Sequence, residues 1–272
     1  MMSFHTRGRP SNCGNGRDGE RTGCATMIDV RTRIIDSIRR IRMNSDKNVA
    51  RLAGAAFLFV FVASLISTQL LNSVIGSGGI PQILANVAAS LALMRVSILV
   101  GLLTSAGIVV LAVSFYILLR NQNKIIALVA LGWWMAEAIT LAVSKLGALA
   151  LIPLSQQFIG AGSPEPSQYQ ALGRFLYSGL YGQGDHIHMV FYSLGGVLWF
   201  YLFYRSRCVP RVLSALGLAI ESVGLIGMVL LLSAVQVSML VFYPIAALEL
   251  VVGLWLLIRG VPDAPGTGRR LA

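Results

Sequence analysis

The sequence has 272 residues, of which 56% are hydrophobic and only 12% are charged. Soluble domains carry about 25% charged residues, so this composition excludes an ordinary soluble domain and indicates a protein of the lipid bilayer. The formal net charge of +11 would suggest a nucleic-acid partner if it lay on one soluble face, but most of the basic residues flank apolar stretches instead.

The first 48 residues are expected to lie outside the membrane. Residues 1–26 are rich in Gly, Arg, Ser and Asn and have too little apolar content to order a chain, so we expect a disordered basic tail. Residues 27–48 carry isoleucines at helical spacing among arginines. This pattern predicts a basic amphipathic helix that lies on the bilayer surface and binds anionic lipid, and we expect no nucleic-acid partner.

Six apolar stretches follow, each near the length of about 20 residues that a helix needs to cross a hydrocarbon core. They are Val49–Asn72, Arg95–Leu119, Ile125–Pro153, Asp185–Tyr204, Val212–Ser233 and Ser238–Ile258. The sequence therefore predicts an all-α, polytopic membrane protein with a six-helix transmembrane bundle over residues 49–260. A disordered C-terminal tail is expected over residues 261–272.

Two of the loops between these stretches carry helical patterns of their own. The segment GGIPQILANVAASLALMR, residues 78–95, places Pro81 where a first helical turn favours it, and its apolar residues fall on one face. Apolar residues recur at the same spacing in residues 166–180. We therefore predict two short amphipathic helices in the outer loops.

The basic residues predict the orientation of the bundle. All but three of the 22 Lys and Arg residues fall on one side of a six-span arrangement, the exceptions being Arg95, Lys145 and Arg174. By the positive-inside rule, both termini then lie in the cytoplasm. The expected location is the bacterial inner membrane.

Three segments resemble a known family. They are ARLAGAAFLF from Ala50, ILANVAASLALMRVSIL from Ile83, and HMVFYSLGGVLWFYLFYRSRCVPRVLSALGL from His188. Together they are similar to an uncharacterised bacterial integral-membrane family, domain of unknown function 4386, over about residues 50–260. The resemblance implies a six-helix fold and no established chemistry. It also favours Met43 over Met1 or Met27 as the natural start.

Three glutamates, Glu137, Glu221 and Glu249, lie near the middle of predicted spans. Each lies on a stripe of small or polar residues at helical spacing, where membrane helices approach closely, so we expect the three carboxyls to face a common interior. An ionised carboxylate in hydrocarbon is costly. At neutral pH some of these glutamates are therefore expected to carry protons unless a cation joins them.

A second polar group lies at the start of the fourth span. Asp185 and His188 are three residues apart and share a helix face, which favours a proton-relay or ligand edge at the outer mouth. Arg95 is the candidate there for an anion or substrate contact, because its guanidinium is forked. Metal and haem sites need further His or Cys ligands, so no metal and no cofactor is expected.

The leading hypothesis is a membrane protein that binds or transports a small substrate or protons through an intramembrane polar pocket. Two alternatives stay open. One is a non-catalytic membrane subunit or scaffold in which the glutamates only join helices, and the other is an intramembrane enzyme acting on a lipid-like substrate. An enzyme is less favoured, because the sequence contains no serine–histidine nucleophile motif, phosphate loop or paired-cysteine motif at interpretable spacing.

Overall fold

A computed structural model describes the backbone of residues 18–163 and 168–260, with side chains from residue 47 onwards except at position 239. The chain divides into two compact units, Met1–Ser45 and Asp46–Ala272, and every side chain described below belongs to the second. The described residues are helical and contain no strand, which confirms the all-α class. The predicted tails lie mostly outside the described residues, as do the side chains of the predicted amphipathic helix.

The described residues form eight α-helices. Their bounds are α1 Asp18–Ile75, α2 Ile80–Ala89, α3 Leu91–Leu119, α4 Lys124–Gly160, α5 Gln168–Arg174, α6 Gly184–Ser206, α7 Arg211–Leu232 and α8 Tyr243–Arg259. A π-helical segment, Phe175–Gln183, joins α5 to α6, and a single 3₁₀ turn, Met239–Val241, precedes α8. Among these elements, α4 packs against both α3 and α6, and α6 packs against α7.

Five helices of the described part are long and apolar enough to cross a membrane, as judged by length and composition. They are Lys47–Ile75, Leu91–Leu119, Lys124–Gly160, Gln168–Ser206 and Arg211–Leu232. The sixth predicted span corresponds to α8, which has 17 residues. At a rise of 1.5 Å per residue α8 is about 26 Å long, a little shorter than a hydrocarbon core of about 30 Å.

Two helices extend further than the hydropathy pattern predicts. Helix α4 continues past Pro153 to Gly160. A proline inside a helix removes a main-chain hydrogen bond and crowds the preceding turn, but the following Leu154 and Phe158 are buried, and their packing offsets this cost. The loop helix that the sequence predicts over residues 166–180 is described from Gln168 onwards, and from there it is continuous with α6. At Gly147 of α4 an added Cβ would lie 2.7 Å from the Leu176 carbonyl oxygen, so the missing side chain lets the π-helical backbone approach.

Two apolar cores are separated by buried polar residues. The first core surrounds Phe115, Trp134 and Trp199, and the second surrounds Leu84 and Leu151. Along α1, α3, α4 and α6 the residues between the two cores include buried polar side chains, namely Ser67, Thr104, Ser105, Ser144, Lys145 and His188. The polar layer is therefore built from several helices at one level, and the candidate site adjoins it.

Candidate functional site

A tyrosine joins two of the glutamates. The Tyr192 hydroxyl of α6 lies 3.0 Å from Oε1 of Glu221 on α7 and 2.9 Å from Oε1 of Glu249 on α8. Glu221 is fully buried, whereas Glu249 is partly exposed. Three helices thus meet at one hydroxyl group, as expected if the carboxyls face a common interior.

Two adjacent glycines of α6 make room for this arrangement. An added Cβ at Gly196 would lie 2.8 Å from Cδ of Glu221, and one at Gly195 would overlap the indole of Trp134. That indole stacks on the Tyr192 ring with an interplanar angle of 9°, and its Nε1 donates a hydrogen bond of 3.0 Å to the Tyr192 carbonyl oxygen. The position of the hydroxyl is therefore fixed by contacts on α4 and α6.

Glu137, on α4, is the third glutamate of the site. Its side chain is only 4% exposed, and its Oε2 is buried without a hydrogen-bond partner among the described residues. Glu137 interacts electrostatically with both Glu221 and Glu249. We call the three glutamates and Tyr192 the carboxyl cluster.

A cavity of about 210 Å³ opens beside the carboxyl cluster. Glu137, Glu249 and Tyr192 line it together with His188 and with largely apolar side chains of α1, α3 and the region around the start of α8. We call it the glutamate cavity. Glu221 does not line it, because Tyr192 lies between the Glu221 carboxyl and Glu249.

A second cavity of about 210 Å³ adjoins the first. It is lined by Lys145 and Asp185 and by hydroxyl side chains of α1 and α3, and we call it the lysine cavity. Five residues line both cavities, namely Ser64, Thr104, Leu141, His188 and Met189. Because they share these residues, the two cavities are adjacent. Together they connect the carboxyl cluster to Lys145 and Asp185.

His188 lies at the junction of the two cavities. Its Nδ1 is 3.7 Å from Oδ1 of Asp185, and the residue is 8% exposed. That separation is too long for a hydrogen bond, and Nδ1 has no other partner among the described residues. The imidazole therefore lies beside Asp185 without a side-chain hydrogen bond to it and borders both cavities.

Lys145 is buried in the lysine cavity rather than extended toward solvent. It is 8% exposed, and its Nζ lies 4.9 Å from the centroid of the Tyr181 ring. Gly101 of α3 permits this position, because a Cβ there would lie 2.7 Å from Cε of Lys145. Lys145 and Asp185 interact electrostatically, so a cation and an anion share this cavity.

Comparison with known families places this site in context. The family model described as "Domain of unknown function (DUF4386)" matches residues 52–260. The chain belongs to the DUF4386 family. No curated protein and no solved structure matches it. The matched range of the DUF4386 chain contains every residue that lines the two cavities.

The DUF4386 chain brings together five of the six site residues expected from its sequence. Glu137, Glu221 and Glu249 form the carboxyl cluster, and Asp185 and His188 lie along the adjoining route. Arg95 is exposed on α3 and, among the described residues, lines neither cavity. No group of three His, Cys, Asp or Glu side chains suited to a metal ion occurs in the described part of the chain.

Two further members of the site are only partly indicated by the sequence, in which Tyr192 continues the Asp185–His188 helix face and Lys145 is a possible partner of Asp185 across the bundle. Tyr192 follows His188 by one helical turn, which places it on the expected polar face, but its contact with two glutamates depends on how α7 and α8 are rotated. Lys145 follows Leu141 by four residues and Ser144 by one, in the middle of a long apolar stretch. A lone lysine at that depth is itself a signal, since membrane helices rarely carry an ionisable group without a function.

Proposed function

We propose that this DUF4386 protein is a multi-pass protein of the bacterial inner membrane that binds protons at the carboxyl cluster and uses them in transport. One observation carries the proposal: a single hydroxyl group lies within hydrogen-bond distance of two carboxyl oxygens. Because the chemistry of that contact requires a proton on one carboxyl, the cluster is suited to store and exchange protons.

The proton count follows from the donors available. A phenol has one O–H and so donates to only one of the two glutamates. Its oxygen can accept a hydrogen bond from the other glutamate only if that glutamate is protonated, and two ionised carboxylates would leave one contact with no proton at all. The Tyr192 contacts therefore require one neutral carboxyl, whose proton is shared between Glu221 and Glu249.

The route out of the cluster supports exchange rather than permanent storage. Glu137 and Glu249 face the glutamate cavity, and His188 stands between that cavity and Asp185. An imidazole accepts a proton on one nitrogen and releases one from the other, which makes it suited to pass protons between carboxyl groups. Polar side chains at membrane depth are costly. Those that are present therefore usually serve such a path or join helices.

Glu221 has a different role from the other two glutamates in this proposal. It is fully buried, lies outside the glutamate cavity and contacts the Tyr192 hydroxyl. Glu221 is therefore a positioning residue that orients Tyr192 through the contact with its hydroxyl. Glu137 and Glu249 are the groups from which a proton or a substrate exchanges.

Proton flux in sealed vesicles tests the proposal. The purified protein is reconstituted into liposomes containing a pH-sensitive dye, and a pH gradient is imposed. We expect parent protein to dissipate the gradient, and Glu137→Gln and Glu249→Gln to reduce the rate to that of protein-free vesicles. Arg120→Gln, which removes an exposed charge at the end of α3, is the control and should match the parent. Equal flux in parent and both Gln variants contradicts the proposal, as does no flux in the parent.

A scaffold function is the second candidate, and one observation favours it. The Tyr192 contacts tie α6, α7 and α8 together, as polar residues do when they only hold membrane helices in place. In that case the Gln variants lose stability without any change in flux. Unfolding measurements on the same vesicle preparations separate the two functions.

We further propose six membrane spans, with α8 as the sixth and both termini in the cytoplasm. The location of most basic residues on one side of this arrangement supports it, and an α8 of about 26 Å can span by modest local thinning of the bilayer. The basic segment over residues 27–48 would then contact anionic lipid on the cytoplasmic face. Single-cysteine labelling from either side of the membrane tests this: Ser77→Cys, in the exposed loop after α1, should react from the periplasm, and Lys124→Cys from the cytoplasm.

A further inference from the structure

The lining of the glutamate cavity combines two carboxyl groups with apolar and aromatic surface. Glu137 and Glu249 are the acidic groups, and Phe61, Tyr192 and Phe242 are the aromatic ones. Lys145, the nearest buried lysine, lines only the neighbouring cavity. An acidic pocket with apolar walls attracts positive charge and excludes anions, and aromatic faces add to the attraction for organic cations.

A buried, unpaired carboxyl oxygen beside this cavity points independently to a ligand. Oε2 of Glu137 is buried and has no hydrogen-bond partner among the described residues, although the residue is only 4% exposed. A buried carboxyl oxygen without a partner costs free energy. A cation in the cavity, adjacent to Glu137, would remove that cost.

The volume of the cavity limits the size of its ligand. A cavity of about 150 Å³ holds benzene in an engineered protein, so the glutamate cavity, at about 210 Å³, has room for about eight non-hydrogen atoms by the same scale. This is the size of a small quaternary ammonium ion or of a short-chain amine in its protonated form. Large aromatic cations exceed it.

We propose that the glutamate cavity binds a small amphipathic organic cation, an ammonium ion with short apolar substituents, in exchange for a proton. This rests on the proposed function and names the class of substrate for it. The ammonium group lies between Glu137 and Glu249, and the apolar substituents contact Phe61 and Phe242.

The exchange balances in charge. When the cation arrives, the proton on a carboxyl of the cluster leaves to water, and the carboxylate that remains pairs with the ammonium, so the net charge of the cavity is unchanged. The groups that face or adjoin this cavity and titrate or carry charge are, by element, Glu137 and Lys145 on α4, Asp185, His188 and Tyr192 on α6, Glu221 on α7 and Glu249 on α8. Helices α1 and α3 contribute hydroxyl groups such as Ser64 and Thr104.

Three probes of one shape test the charge requirement. Choline is the cation, 3,3-dimethylbutan-1-ol is its uncharged isostere, and 3,3-dimethylbutanoate is an anion of similar size. Binding to the purified full-length protein in lipid nanodiscs is measured by calorimetry. We expect saturable choline binding, an affinity for the alcohol that is lower by about tenfold or more, and no binding of the anion. Equal binding of choline and the alcohol would overturn the proposal, as would no choline binding.

The pH dependence tests the exchange with a proton. If each choline displaces one proton, its affinity rises with pH, by up to about tenfold per pH unit while the carboxyl is mostly protonated. The apparent binding enthalpy should also depend on the ionisation enthalpy of the buffer. Choline affinity that is the same from acidic to alkaline pH contradicts the exchange.

Paired variants locate the site. Glu137→Gln keeps the shape of the side chain and should lower choline affinity by about tenfold or more, while Arg120→Gln should leave it unchanged. Ala246 lines the glutamate cavity, whereas Ala247 is exposed and does not. Ala246→Leu should therefore block choline and Ala247→Leu should not, which keeps the test valid even if Glu137→Gln fails to fold. Choline binding that survives Ala246→Leu places the ligand elsewhere and refutes the proposal.

The failures of the two proposals are distinguishable. If vesicles show glutamate-dependent proton flux but choline does not bind, the organic-cation site is wrong and proton transport stands. If choline binds with the expected variant pattern but no flux is seen, the site stands as a binding site and transport is wrong.

Discussion

Replacing Tyr192 with phenylalanine isolates the bond on which the carboxyl cluster depends. The variant keeps the aromatic ring stacked on Trp134 and keeps the hydrogen bond from Trp134 Nε1 to the main chain at position 192. Only the hydroxyl is lost, and with it the contacts of 3.0 Å to Glu221 and 2.9 Å to Glu249. Glu221 is fully buried, so bulk solvent does not reach its carboxyl to replace that contact.

The expected loss of stability follows from the two bonds. Side-chain hydrogen bonds between membrane helices contribute about 0.6 kcal/mol on average and about 1.7 kcal/mol at most, so losing two should lower the free energy of unfolding by about 1–3 kcal/mol. Equilibrium unfolding in lipid bicelles, followed on titration with a denaturing detergent, measures this change. Tyr201→Phe is the matched control, because the Tyr201 hydroxyl accepts only an exposed contact of 3.3 Å from Arg205.

A double-mutant cycle makes the test specific to the contact. Tyr192→Phe and Glu221→Met, which has no strong hydrogen-bond acceptor, should be non-additive by about 1 kcal/mol, since both remove the same bond. Tyr192→Phe should also slow proton flux, because the shared carboxyl proton loses its acceptor. Stability equal to that of Tyr201→Phe, together with additive effects of the two changes, would refute the account of the cluster.

Two further changes test the packing and hydration of the site. Gly196→Ala places a Cβ 2.8 Å from Cδ of Glu221 and should cost about 1–3 kcal/mol of unfolding free energy. At Gly132 an added Cβ has no atom within 4 Å, so Gly132→Ala should be neutral or stabilising by up to about 1 kcal/mol. Equal changes in unfolding free energy for the two glycine variants would contradict the close packing at Gly196. In a background without native cysteines, Ser64→Cys should react with a water-soluble thiol reagent and Ser193→Cys should not, because Ser64 lines both cavities and Ser193 is fully buried. Reaction at both positions, or at neither, would show that the cavities are not the hydrated route.

The convergence of the glutamates was predictable from the sequence because two strong constraints act on it. Carboxyl groups avoid hydrocarbon, and small residues such as Gly217 and Gly224 mark the helix face that packs against a neighbour. Glu221 obeys both, and it lies at the centre of α7, about 15 Å from either end. Such constraints act on each helix separately, so they are visible in one sequence.

The parts of the site that were not predictable depend on how helices are rotated and placed relative to one another. Tyr192 shares a face with His188 on α6, but the sequence does not show that Glu221 and Glu249 reach the same hydroxyl. Arg95 illustrates the converse: its position beside an apolar stretch suits a ligand contact, but the rotation of α3 leaves it exposed.

The ends of the helices were also not predictable from the sequence. Hydropathy locates the centre of a span and is weak at its ends. The π-helical segment Phe175–Gln183 extends α6 at its N-terminal end, and it depends on the close approach to Gly147 of α4, which is remote in sequence. Similarly, α8 begins at Tyr243 rather than at Ser238, after a 3₁₀ turn that the apolar pattern does not distinguish from helix.

The most direct test of the central claim is the infrared spectrum of the carboxyl groups in the reconstituted protein. A protonated carboxyl has a C=O stretching band distinct from those of a carboxylate and of the amide backbone, and its frequency shifts when an exchangeable proton is replaced by deuterium. We predict such a band at neutral pH, a shift in D₂O, and a decrease in its intensity in the Glu221→Gln, Glu249→Gln double variant, in which Glu137 is the remaining carboxyl of the cluster. A spectrum with no protonated carboxyl at neutral pH, or a band whose intensity both substitutions leave unchanged, would contradict the proposal that the Tyr192 cluster holds an exchangeable proton.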